Sequence, residues 1–139
     1  MTRGRESGFV ATEFAFGVAV LVLPVALLVL TFPRWSERQV TARVISREVA
    51  RRAARDGLCD RGAAAALGAT MARNLGVVPA DVSVDLRCAD GTALAPGADV
   101  ESRVTVVMPA VQLPAIGAVG TWSWTARHRE PVDRYASAR

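Results

Sequence analysis

Lysine is absent from this chain, and all 17 basic residues are arginine. With abundant Ala, Gly and Val, this bias is the mark of a high-GC genome rather than a chemical requirement. The net charge it leaves, +4, is modest. Such a surface suits anionic headgroups or nucleic acid, but a solvated basic exterior is its default meaning. Histidine is nearly absent too: His128 stands alone between Arg127, Arg129 and Glu130 and reads as an exposed surface residue. Only two cysteines occur, Cys59 and Cys88. A structural zinc site wants four N or S ligands, so these residues do not assemble one. A glycine-rich phosphate loop and a nucleophile elbow are both missing. The serines are scattered without a base partner. These absences argue against an enzyme, and no cofactor or metal is expected.

What the chain does have is one long apolar run. From Phe14 to Phe32 it carries no formal charge, and Phe9 to Thr12 extend the run toward the N-terminus. A hydrocarbon core about 30 Å thick needs about 20 helical residues, so this segment is long enough to cross a bilayer. It exceeds the apolar core of a cleaved secretory signal, and it ends Leu30-Thr31-Phe32-Pro33-Arg34-Trp35 without a small-x-small cleavage site. A retained span is the expectation. One carboxylate, Glu13, sits inside it. Placing a charge at the bilayer centre costs about 2.5–3.5 kcal/mol on insertion scales and less near the edge, so an intramembrane acid calls for a reason. Cleavage after the small residue Gly8 would supply one, because the new ammonium group on Phe9 is a cation able to pair with a carboxylate in a packed assembly.

On these residues the chain resembles a known family. Gly8 followed by Phe9, with Glu13 fifth in the resulting chain, is similar to the class III signal peptide of type IV pilins. The Glu13-Phe14 pair, the short leader, the Arg-rich helix downstream and Arg129-Glu130-Pro131 near the end resemble the TadE-like minor pilins of tight-adherence pili. Pro24 also stands where pilin helices often carry a proline. The resemblance is specific over residues 6–33 and loose elsewhere, and the cysteine pair is not something the family requires. It implies that a prepilin peptidase on the cytoplasmic face cuts between Gly8 and Phe9, and that Glu13 is the pilin glutamate used in subunit assembly. It further implies membrane lipid, other pilin-like subunits and an inner-membrane assembly platform as partners. Nucleic acid is not expected, because no aromatic residues interleave with the arginines.

Orientation draws on opposed signals. Arg3 and Arg5 precede the span, whereas Arg34, Arg38, Arg43 and Arg47 follow it, and the positive-inside rule would place the C-terminal part in the cytoplasm. Those later arginines are mixed with Glu37 and Glu48. A cysteine pair in a small domain belongs more naturally outside, where disulfides persist. With the prepilin-like leader added, a single-pass topology is expected, N-terminus cytoplasmic and C-terminal domain extracytoplasmic.

The expected organisation is a leader over 1–8, a transmembrane helix over 9–33, an amphipathic helix continuing the spine over 34–57, and a small α+β domain over 58–139. In the spine, Trp35, Ala42, Ile45, Val49 and Ala53 share one side at 100° per residue. Arg43, Arg47, Arg51 and Arg55 follow at i+4 spacing on the other, with Glu48 placed to pair with Arg52. Gly57 is a plausible C-cap. A second helix is expected from about Gly62 to Leu75, capped by Asp60. It is poor in large side chains, so it must lie close against a neighbour. Three antiparallel strands are expected: Val82 to Cys88, about Asp99 to Met108, and about Thr121 to Arg127, with a Pro- and Gly-punctuated apolar stretch, Pro109 to Gly120, between the last two. Trp122 and Trp124 share a strand face and read as core rather than as a ligand platform. Cys59 and Cys88 have three readings: a redox pair, two free thiols, or a structural disulfide. The wide spacing speaks against the first, and the disulfide is the expectation. The pilin-like α+β architecture leaves two functions in view, a TadE-like minor pilin or pseudopilin and a single-pass membrane-anchored binding module.

Overall fold

Helix α1 spans Ser7–Asp56 without a break, passing through both Pro24 and Pro33. At about 1.5 Å per residue it is about 75 Å long, more than twice the thickness of a hydrocarbon core. The computed structural model describes residues 7–88, 91–113 and 117–133; residues 1–6 of the expected leader lie outside them. The two halves of α1 live in different surroundings. Every residue from Ala11 to Ala26 is exposed, whereas Ala42, Ile45, Val49 and Ala53 are buried, as their periodicity predicts. The buried arc is wider than that stripe. It runs as adjacent pairs four residues apart: Thr41 with Ala42, Ile45 with Ser46, Val49 with Ala50, and Ala53 with Ala54. The cause is that α1 packs on the sheet and on the second helix at once.

Two glycines end the helices. Gly57 adopts φ 64° after α1, and the Leu58 amide donates to the Ala53 carbonyl at 3.3 Å. Helix α2 spans Arg61–Asn74, its N-cap Asp60 accepting from the Ala63 amide at 2.9 Å. Gly76 adopts φ 70°, and the Val77 amide closes α2 on the Ala72 carbonyl at 2.8 Å. Both ends are Schellman-type turns, in which the left-handed residue lets orphan carbonyls find donors.

The expected three-stranded antiparallel sheet is present. Strand β1 is Val82–Cys88, entered from a 3-10 turn at Pro79–Asp81, and β2 is Asp99–Met108. A small antiparallel hairpin, β3 (Val111–Leu113) and β4 (Gly117–Val119), precedes β5, Trp122–Pro131. The sheet order is β1-β2-β5. Helix α1 covers the inner face of β2 and β5, and α2 covers β1. On β2 the residues Val100, Ser102, Val104, Val106 and Met108 point inward and are buried. Ser102 is fully buried, and its Oγ has no hydrogen-bond partner among the described residues.

Three expectations change. The last strand is longer than read, because His128, Arg129 and Glu130 continue the ladder opposite Ser102, Glu101 and Val100. The sequence reading ends the strand at Arg127, yet the period of two persists through these charged residues. The stretch after Met108, to which the sequence reading assigns no element, carries the paired strands β3 and β4. Arg52 pairs with Asp56 at 2.6 Å rather than with Glu48. Helix α2 does lie close against the sheet: a Cβ built on Gly68 would sit 2.4 Å from Val84 Cγ2. Valine is stiff at χ1, so no larger residue fits at 68 unless strand or helix moves.

Candidate functional site

The largest exposed apolar feature among the described residues is the bare half of α1. Phe14, Phe16, Leu21, Leu30 and Phe32 are each about two-thirds or more exposed, at 73%, 72%, 70%, 71% and 66%. Among the described residues this is the one helix long and apolar enough to cross a membrane. Its Thr31 hydroxyl is bonded back to the helix itself, as an apolar solvent favours. Thr31 Oγ1 donates to the Leu27 carbonyl at 2.8 Å and lies 3.2 Å from that of Leu28. Glu13 stands exposed beside Phe14, and no cation lies within ion-pair distance of it among the described residues. Gly8 and Phe9 lie in the first turn of α1. The three residues expected to act together are therefore on one helix, close to its start.

Where the bare half meets the domain, Trp35 forms the joint. Its indole Nε1 donates to the Pro109 carbonyl at 3.1 Å. Its ring meets Trp122 edge to face, centroids 5.9 Å apart at 82°. Trp122 is 44% exposed, so it is not the core residue the sequence suggested. One turn further on, Arg38 pairs with Asp81 at 3.2 Å and ties α1 to the 3-10 turn.

At the far end of the domain Cys59 and Cys88 are joined, with Cα atoms 6.3 Å apart. The bridge links the turn after α1 to the end of β1. The same turn is held by the Cys59 amide on the Thr92 carbonyl at 2.7 Å and the Leu94 amide on the Gly57 carbonyl at 2.9 Å. No free cysteine is present.

A second surface was missed by sequence. Arg43 and Arg47 of α1 and Arg127 of β5 line a shallow concavity with Ser46, Thr125, Trp124 and His128. The Arg43 guanidinium lies over the Trp124 ring, 5.1 Å from its centroid. The arginine stripe thus does meet an aromatic ring, which spacing within α1 alone does not reveal. His128 is half-buried rather than exposed, its Nε2 2.9 Å from Glu130 Oε2. On the outer sheet face Glu101 accepts from Arg103 and, at 3.3 Å, from Arg129. These hydrogen bonds, that of Arg103 first, hold its carboxyl below its ordinary value. Among the described residues no group of three or more His, Cys, Asp or Glu is placed to hold a metal ion. Comparison with protein-family models, curated proteins and solved structures finds no match to this chain.

Proposed function

We propose that the chain is a TadE-like minor pilin or pseudopilin, a structural or assembly component of a type IV pilus-like secretion system. The observation that carries this reading is the division along α1, whose first half is bare and apolar while its second half is the spine of an α+β domain. A subunit that is stored in a membrane and then packs helix against helix needs both halves in one continuous element. Glu13 is the single carboxylate of the bare half, which suits a pairing role better than lipid exposure. The disulfide favours an oxidising compartment for the domain, outweighing the arginine excess after the span. On this reading the partners are membrane lipid, a prepilin peptidase, neighbouring pilin-like subunits and an assembly platform.

Intact-mass analysis of the protein purified from its host membrane tests the reading. The mature chain is expected to begin at Phe9, with Gly8→Leu blocking the cut and leaving membrane insertion intact. A chain that retains Met1 or Thr2 in a host with active prepilin peptidase would overturn the pilin assignment.

One observation favours a second reading, a membrane-anchored binding module. The concavity is lined by Arg43, Arg47 and Arg127 from two elements, and none of the three has a carboxylate partner among the described residues. Guanidinium forks match phosphate geometry. On this reading inorganic phosphate titrated into the detergent-solubilised full chain binds saturably, and Arg47→Gln with Arg127→Gln abolishes the binding. Absence of saturable heat up to about 10 mM phosphate, an affinity weaker than about 3 kcal/mol, removes it.

A further inference from the structure

Charge is segregated along the sheet. From Val104 to Ala126 the sequence contains no Asp, Glu, Lys, Arg or His. The cross-strand rows beyond that stretch hold the charges: Asp85 opposite Arg103 opposite Arg127, and Arg87 opposite Glu101 opposite Arg129. The charge-free end is not turned to open solvent at random. Pro109 and Ala110 lie against Leu27, Leu30, Thr31, Arg34 and Trp35, on the bare stretch of α1 and its margin. The β3–β4 hairpin continues from that point and packs beside α1. Pro109 and Ala110 thus bring an uncharged stretch of sequence to the level of the bare helix.

That level can be placed. At about 1.5 Å per residue, Leu27 lies about 10 Å below Arg34 along α1. Amphipathic elements that lie in a bilayer surface are buried about 5–10 Å into the boundary between headgroups and acyl chains. A two-stranded hairpin has open edges, and each unsatisfied backbone group in hydrocarbon costs several kcal/mol. The hairpin is therefore suited to the headgroup boundary and excluded from the bilayer centre. Trp35 and Trp122 suit the same depth, since indole combines a large apolar body with one N–H donor. Arg34 stands at the rim, where a long cationic side chain reaches headgroup phosphates.

Resting on the reading that α1 spans a membrane, we propose that the Trp35–Trp122 pair and the β3–β4 hairpin form a second membrane contact. They are seated in the headgroup boundary of the leaflet through which α1 leaves. The domain is thereby held against the bilayer at a fixed tilt instead of swinging freely on its helix. The occupant of this surface is lipid, because the surface continues the apolar face of the helix and Arg34, the one charge lining that junction, is placed to reach headgroup phosphates.

The test uses the full chain reconstituted in phosphatidylcholine–phosphatidylglycerol vesicles. Trp35→Phe with Trp124→Phe leaves Trp122 as the reporter, read by lipids brominated at shallow or deep positions and by aqueous acrylamide. In a background also carrying Trp122→Phe, Leu113→Trp reads the hairpin and Leu21→Trp reads the middle of the bare helix. Shallow bromines are expected to quench Trp122 and the residue-113 reporter at least twofold, with acrylamide quenching both weakly, while deep bromines quench the residue-21 reporter. Deep quenching at 21 with no lipid quenching at 122 and 113 overturns the second contact and leaves the span standing. No lipid quenching at any of the three overturns the span as well. Protection from acrylamide without bromine quenching, growing with protein-to-lipid ratio, means that a second copy covers the surface and overturns lipid as its occupant.

Discussion

Reduction of the Cys59–Cys88 bridge is expected to lower the unfolding free energy of the domain by about 3–4 kcal/mol, the chain-entropy value for a loop of this length. The sequence separation is 29 residues, and the loop contains all of α2 and nearly all of β1. Its weight comes from what surrounds it. The core is built mostly from alanine and valine, with Ile45, Leu86 and Met108 its largest fully buried side chains. Such a core gains less transfer free energy per residue than one rich in Leu or Phe. Domains of this size are stable by about 5–15 kcal/mol, so the bridge holds a large share of the whole. The reduced chain is expected to keep its fold, because the backbone hydrogen bonds between 57–59 and 92–94 persist without it. Thermal unfolding of the full chain in detergent, with and without reductant, measures the effect. A fall in Tm on the order of 15 °C or more is expected. The Cys59→Ala, Cys88→Ala double variant should show the same fall without reductant. Midpoints that coincide would assign the stability of the domain to its packing alone.

Replacement of Glu13 should do the opposite, leaving the domain intact and disabling its association. Glu13 lies about 33 Å along the helix from Trp35, where the domain begins, so unfolding and disulfide content should match those of the unaltered chain. Membrane insertion should be equal or better, because the cost of placing a carboxylate in the bilayer is removed. The expected loss is in recruitment. If the Phe9 ammonium of a neighbouring subunit is the partner, a charge pair formed away from bulk water is worth far more than one in it. A loss of about 1.4 kcal/mol already lowers pairing tenfold, and Glu13→Ala should reduce crosslinking to pilin-like subunits in membranes by about that factor or more. Glu13→Asp should retain part of it. Equal crosslinking yield for Glu13→Ala would make the residue a tolerated acid near the membrane edge.

The elements that declared themselves in the sequence were those whose periodicity rests on strong side chains. Ile45 and Val49 mark the buried stripe of α1, and Val100, Val104 and Val106 mark the inner face of β2. What stayed hidden rests on small or charged residues. Ala50, Ala54 and Ser46 are buried because α1 packs on the sheet and on α2 at once, and neither alanine nor serine announces contact by its hydropathy. The extension of β5 through His128 and Glu130 was masked by charge, although every second side chain still turns inward. The concavity at Trp124 joins residues distant in sequence, so no local pattern points to it. The pairing of the two cysteines was legible from their even count in a small domain. The joint between Trp35 and Trp122 was not, since it depends on where the β3–β4 hairpin places the chain.

The bridge has a mechanical side as well. Suppose the subunit is pulled by its N-terminal helix while its C-terminal strand is held by a neighbour. Tension then reaches the sheet along two routes, through the chain of α2 and through the sulfur–sulfur link that bypasses it. The covalent shortcut is taut first. The residues enclosed between Cys59 and Cys88 cannot pay out, which withholds on the order of 100 Å of slack at about 3.5 Å per extended residue. A subunit so stitched yields little length before its neighbours share the load.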